Sequence, residues 1–124
     1  MVQRAIVVDD SSFQRTIVTN TIDTWFDVIG TAADGKEAIE VFREKRPEIV
    51  TMDIMMPEMN GIESLRRIKE ISPETTVVMI TSVSQDEKMR EAARAGADGY
   101  VTKPVTTEEL KDEFDDVLDF PVSR

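Results

Sequence analysis

Residues 48 to 80, EIVTMDIMMPEMNGIESLRRIKEISPETTVVMI, decide the fold. The stretch opens on a short β-branched run, EIVTM (48–52), and breaks at Asp53 into a loop containing Pro57, Asn60 and Gly61. Helical spacing follows, with Ile62, Leu65, Ile68 and Ile71 on one stripe, and Pro73 closes it because a proline cannot donate into a helix. TVVMI (76–80) then repeats the first run. Both runs are too apolar to own a wet face, so they read as strands buried on both sides of a parallel sheet. Strand, helix and parallel strand make a βαβ unit with a right-handed crossover.

The alternation continues on both sides of this unit. AIVV (5–8), DVIGTA (27–32) and GYVT (99–102) read as strands, and DVIGTA, the most polar, is expected nearer an edge. SSFQRTIVTNTIDTWF (11–26) places Phe13, Ile17, Val18, Ile22 and Trp25 on one apolar stripe, with Ser11 or Ser12 as its cap. GKEAIEVFREKRP (35–47) turns Ala38, Ile39 and Phe42 inward and ends at Pro47. SQDEKMREAARAG (84–96) is more polar, carries Met89, Ala92 and Ala93, and stops at Gly96. TTEELKDEFDDVLDF (106–120) starts at a Thr106 or Thr107 cap and faces Leu110, Phe114, Val117 and Leu118 inward. The order is (βα) five times, an α/β doubly wound parallel sheet with helices on both faces. One domain over 1–124 is expected, its core within about 3–118 and DFPVSR (119–124) a frayed tail.

Composition narrows the chemistry. With 25 acids against 15 bases the chain carries a net charge of −10, which repels nucleic acid. Having no cysteine and no histidine, it has no thiol nucleophile, disulfide or imidazole acid–base. No apolar run approaches the ~20 residues of a membrane span, and MVQRAIVVDD does not read as a signal peptide, so a cytoplasmic location without membrane insertion is expected. The seven methionines, among them Met52, Met55, Met56 and Met59, read as packing residues. DGKE (34–37) and NG (60–61) read as helix-start and turn signals.

A doubly wound sheet binds its ligand outside the carboxyl ends of the strands. Asp9 and Asp10 end the first strand, Asp53 the third, Thr81 and Ser82 the fourth, and Lys103 followed by Pro104 the fifth. Polar residues at any one strand end meet water; their convergence on one rim asks for a ligand. Close carboxylates repel by about 4 kcal/mol per pair at an effective dielectric near 20. A hard divalent ion such as Mg²⁺ relieves this, since it prefers oxygen ligands and keeps waters or phosphate oxygens in its other positions. Strand alternation points the adjacent acids differently, so Asp10 is expected to touch the metal and Asp9 to act through water.

VVDDSSF (7–13), VTMDIMMPEMNG (50–61), MITS (79–82) and GADGYVTKP (96–104) together resemble the receiver domain of bacterial and archaeal two-component response regulators, over residues 3–118. The resemblance implies strand order 2-1-3-4-5 and a phosphoryl group taken by Asp53 from the phosphohistidine of a histidine kinase. It gives Mg²⁺ to Asp10, Asp53 and the Met55 backbone carbonyl, with Asp9 acting through water. Thr81 matches the hydroxyl that meets the phosphoryl oxygen, Lys103 the ammonium that pairs with it, and Tyr100 the switch aromatic. A cis bond at Lys103–Pro104 is implied too. On phosphorylation the loop after the fourth strand is drawn to the phosphate and Tyr100 swings inward, reshaping a face within 84–118 that binds a partner.

The elements use the chain to about residue 118, leaving no room for a DNA-binding or enzymatic effector within it, so output by protein binding from a monomer is expected. DDSSFQR, TMDIMMPEMNG and AGADGYVTKP are most similar to chemotaxis-type receivers, which implies a chemotaxis or other sensor kinase and a flagellar or archaellar motor switch or adaptor protein. A stand-alone phosphorelay receiver, or the receiver of a larger regulator such as a methylesterase, are the alternatives. A Mg²⁺-dependent aspartyl-phosphate phosphohydrolase is disfavoured, because such enzymes place a second acid two residues past the nucleophile and Met55 stands there. Neither Met55 nor Val83 can orient a water, so self-dephosphorylation is expected to be slow or moderate and helped by a phosphatase. A phosphoryl half-life of seconds in the purified protein would contradict this.

Overall fold

The computed structural model describes residues 2–118, so the 119–124 tail lies outside the described residues. Its elements run β1 (Arg4–Val8), α1 (Ser12–Ile22), β2 (Asp27–Ala32), α2 (Gly35–Lys45), β3 (Ile49–Met52), α3 (Gly61–Ile71), β4 (Thr76–Thr81), α4 (Asp86–Arg94), β5 (Gly99–Thr102) and α5 (Thr107–Val117). The strands form one parallel five-stranded sheet of order β2-β1-β3-β4-β5. The order of the elements matches the sequence reading, and DVIGTA is an edge strand, as its polarity indicates.

Strand alternation splits the core in two. Ile6, Val8, Val50, Met52, Val77 and Met79 face α2, α3 and α4, whereas Ala5, Val7, Ile49, Val78, Ile80 and Val101 face α1 and α5. The second layer ends in an aromatic cluster, in which the Phe26 and Phe114 rings meet edge-on at 5.0 Å and Trp25 closes on both.

Local chemistry starts the helices. Ser11, Asp34, Asn60 and Thr106 each accept an N–H of the first turn of α1, α2, α3 and α5, and Thr106 with Glu109 forms a complete capping box. α4 begins at Gln85 with no side-chain cap. Gly96 follows α4 with φ of 108°, the left-handed turn expected of a helix-ending glycine.

The expected α1 stripe needs correction. Val18 and Ile22 are buried, but Phe13 is 70% exposed and Ile17 38% exposed. Apolar residues lie on two faces of α1, and only the row containing Val18 and Ile22 looks at the sheet. On α4, the more polar helix of the sequence, Ala92 is buried while Met89 and Ala93 are exposed. Among the described residues no helix is long and apolar enough to cross a membrane.

Candidate functional site

The site grows from ladder bonds that continue past the strand ends. Asp9 N–H donates to the Ala32 carbonyl at 3.1 Å, Asp53 N–H to the Val8 carbonyl at 3.1 Å, and Lys103 N–H to the Thr81 carbonyl at 2.8 Å. Three site backbones are therefore pinned by neighbouring strands before their side chains are placed. The Lys103–Pro104 peptide bond is cis.

Asp9, Asp10 and Asp53 each present a carboxylate oxygen within 4.8 Å of the others. Asp9 and Asp53 are buried and Asp10 is exposed, the divergence expected of consecutive residues leaving a strand. Lys103 Nζ bridges the buried pair, donating to Asp9 Oδ2 at 2.6 Å and to Asp53 Oδ2 at 3.0 Å. Asp9 Oδ1 accepts the Ser11 N–H at 3.0 Å, and Asp53 Oδ1 accepts the Ile54 N–H at 2.7 Å. Burial would lower the pKa of the lysine, but the bonds and charges of Asp9 and Asp53 outweigh it and raise the pKa above the ordinary value, so Lys103 stays cationic.

The charge count points to a cation. The three carboxylates and Lys103 leave a net charge of −2, which a divalent ion would neutralise. The donors are hard oxygens, so the site suits Mg²⁺ rather than a soft metal. Met55 turns its side chain outward, 65% exposed, and could contribute only through its backbone.

Thr81 is fully buried at the end of β4, its Oγ1 accepting the Val83 N–H at 3.3 Å. Tyr100, half-buried on β5, donates its hydroxyl to the Val83 carbonyl at 2.5 Å. Burial, aided by the Asp53 charge, raises the phenol pKa and keeps that donor protonated. Thr81 and Tyr100 thus hold one loop residue from two sides. Tyr100 is already turned onto that loop, although the sequence reading assigned its inward position to the phosphorylated state. Ser82 is exposed and has no described bond to the cluster.

Two residues of the site escaped the sequence reading. Arg15, the one charged residue of α1, donates to the Asp9 carbonyl at 2.7 Å and steadies the acidic loop. Gly61, read as a turn signal, packs so closely on Asp53 that a Cβ would overlap the Asp53 carbonyl, while its N–H donates to the Ile54 carbonyl at 2.8 Å. The nearly bare charge pattern of α1 is the only signal that could have singled out Arg15. Nothing local marks Gly61.

Residues 5–115 match the model of the response regulator receiver domain. The chain is 41% identical over 118 residues to the chemotaxis protein CheY of Halobacterium salinarum, covering 95% of this chain and 98% of that one. It is 39% identical over 105 residues to CheY of Thermotoga maritima, covering 84% and 88%. Among solved structures it resembles the CheX–CheY–BeF3–Mg complex of Borrelia burgdorferi, with a TM-score of 0.89, 30% identity and coverage of 93% and 88%. The receiver of Thermotoga maritima CheB is similar as well, with a TM-score of 0.86, 37% identity and coverage of 94% and 96%. The chain belongs to the response regulator receiver domain family.

Proposed function

We infer that this receiver is a phosphorylation-activated, CheY-like chemotaxis regulator, with Asp53 as the acceptor of a phosphoryl group from a histidine kinase. The observation that carries this reading is the Asp9–Asp10–Asp53 cluster bridged by Lys103 at the carboxyl rim of the sheet. In the transfer, an Asp53 carboxylate oxygen attacks phosphorus, the P–O bond forms, and the bond from phosphorus to the kinase imidazole nitrogen breaks. Such transfer depends mainly on positioning and charge neutralisation. Asp53 supplies the first through its pinned backbone, and Lys103, already 3.0 Å from Asp53 Oδ2, supplies part of the second.

Asp10, Asp53 and the Met55 carbonyl would hold Mg²⁺, with Asp9 acting through water; the ion would neutralise charge on the transferring group. Once Asp53 is an acyl phosphate, the Thr81 hydroxyl turns from the Val83 N–H towards a phosphoryl oxygen. Val83 also carries the Tyr100 hydroxyl, so the change passes to β5. Output follows as altered binding of a motor switch, adaptor or phosphatase protein on the α4–β5–α5 face. A phosphorelay receiver is the second reading.

Acetyl phosphate and Mg²⁺ should add one phosphoryl group by intact mass, with none added after chelation of the metal or in Asp53→Asn. An adduct that persists in Asp53→Asn would overturn the assignment of the acceptor, and no adduct together with no beryllofluoride uptake would overturn the receiver function.

A further inference from the structure

We propose that the cavity at the amino-terminal rim of the sheet, between the ends of α2 and α3, binds a small zwitterion: an α-amino acid with an apolar side chain. The site lies at the opposite end of the strands from the acid cluster and does not depend on the receiver reading.

Three strand starts and two helix ends meet here. Gln3 precedes β1, Glu48 precedes β3 and Thr76 opens β4, while α2 stops at Arg46 and α3 at Ser72. They bound a cavity of about 380 Å³, within the roughly 300–1,000 Å³ of small-molecule pockets. Its apolar lining is the buried pair Phe42 and Pro47. The walls are tied in place. Arg4 donates from its backbone N–H and its guanidinium to the two Glu48 carboxylate oxygens at 2.7 and 2.8 Å, and from the guanidinium to the Lys45 and Arg46 carbonyls at 2.9 and 2.6 Å. The Gln3 backbone carbonyl accepts the Asp27 N–H at 2.9 Å.

One acceptor in this wall is unanswered. Gln3 Oε1 is buried with no hydrogen-bond partner, the one such side-chain atom among the described residues. An unpaired buried acceptor costs more than an ordinary hydrogen bond returns, so Gln3 on the wall of a cavity asks for an N–H donor inside it. At the rim the Arg46 guanidinium stands 6.0 Å from the Phe42 ring centroid and donates to none of the described residues. Its N–H groups suit a carboxylate.

Charge selects a zwitterion. Burial would raise the Glu48 pKa, but the bonds from Arg4 outweigh it, and Glu74 is held below the ordinary carboxylate range by its own N–H and the Ser72 hydroxyl, so both are ionised. Arg4 and Arg46 balance them, and Lys69, whose charge also reaches Glu74, is paired with Asp98. A ligand with net charge would upset this balance, and a net anion would also meet the −10 charge of the chain. An ammonium beside Gln3 Oε1 and Glu74, with a carboxylate on Arg46, preserves it. The apolar side chain then lies over Phe42 and Pro47.

NMR titration of the nitrogen-15-labelled full chain tests this with free L-leucine, with N-acetyl-L-leucine, which lacks the ammonium, and with L-leucinamide, which lacks the carboxylate. Leucine should give saturating shifts of the Gln3 side-chain amide and the Thr75 and Thr76 backbone amides, with a Kd of about 1 mM, the scale open to a ligand of so few atoms. The other two compounds should bind about tenfold more weakly, the size of one charge-assisted hydrogen bond. Gln3→Met keeps the length of the side chain and removes the orphaned acceptor, so it should leave stability equal or higher while weakening leucine about tenfold. Arg46→Gln, at an exposed position, should weaken leucine about tenfold and leave leucinamide unchanged. No saturating shift at this rim, as in a cavity that holds only water, would overturn the proposal. Equal affinity for the three compounds, or leucine binding unchanged by either variant, would overturn it too.

Discussion

α3 and α4 follow neighbouring strands and cover the same face of the sheet, yet they are held very differently. α3 buries Gly61, Ile62, Ser64, Leu65 and Ile68, is capped by Asn60, and is tied to α2 by the Ser64 hydroxyl donating to the Gly35 carbonyl at 2.8 Å. α4 buries Ala92 alone and has no side-chain cap. The helix after Asp53 is fixed against the proposed acceptor, and the helix after Thr81 is held by far less. Under the proposed function, preorganisation belongs where phosphorus would be attacked, and low local stability where the signal would be read.

The sharpest way to break the contrast is Gly61→Ala. Its Cβ would run into the Asp53 carbonyl, so the loop must move or the helix must lift. A loss of about 3 kcal/mol or more is expected in urea unfolding, the upper range for overpacking against a backbone that cannot yield. Surviving folded protein should take up phosphoryl more slowly, because the same contact sets the Asp53 backbone. Wild-type stability would show that the loop is not held there. Next in size is the contrast itself: native-state hydrogen exchange should find interior α4 amides less protected than those of α3, by about tenfold or more. Equal protection would remove the premise.

How much of this was legible in the sequence depended on how local its cause was. Strand order in the chain, helix starts and the acidic rim follow from runs, caps and strand-end residues, all readable within a few positions. Phe13 and Ile17 were misread because an apolar stripe was counted without fixing which face met the sheet; Val18 and Ile22 occupy that face. The Lys103–Asp9 bond joins residues 94 apart, and no local pattern announces it. Arg15 binds a backbone carbonyl, which leaves no complementary residue type to look for. Gly61 is legible only once the approach of its helix to Asp53 is known.

Tyr100→Phe probes the link between the two regions more gently. It removes the donor to the Val83 carbonyl and leaves the ring in place. Because that carbonyl lies near water, the loss should be about 1 kcal/mol in urea unfolding, the usual size for one hydrogen bond. Phosphorylation of Asp53 by acetyl phosphate should be nearly unchanged, since the hydroxyl does not touch the acid cluster. A large fall in that rate would place Tyr100 in the chemistry and erase the division between the accepting and reading halves.

The smallest change tests whether looseness in α4 has a use. Gln85→Asp supplies the missing cap, an oxygen able to accept a first-turn N–H, and adds negative charge at the positive end of the helix dipole. The gain should be about 0.5–1 kcal/mol, measurable as slower exchange of α4 amides with those of α3 unaltered. If α4 must shift between two positions for the signal to be read, holding it in one will narrow the difference in α4 amide exchange between protein with and without beryllofluoride, while Asp53 phosphorylation stays the same. If α4 is merely under-anchored, the cap will raise stability and leave that difference intact. The comparison of α3 with α4 is then about packing alone, and the switch must be carried by Tyr100 and the Val83 loop.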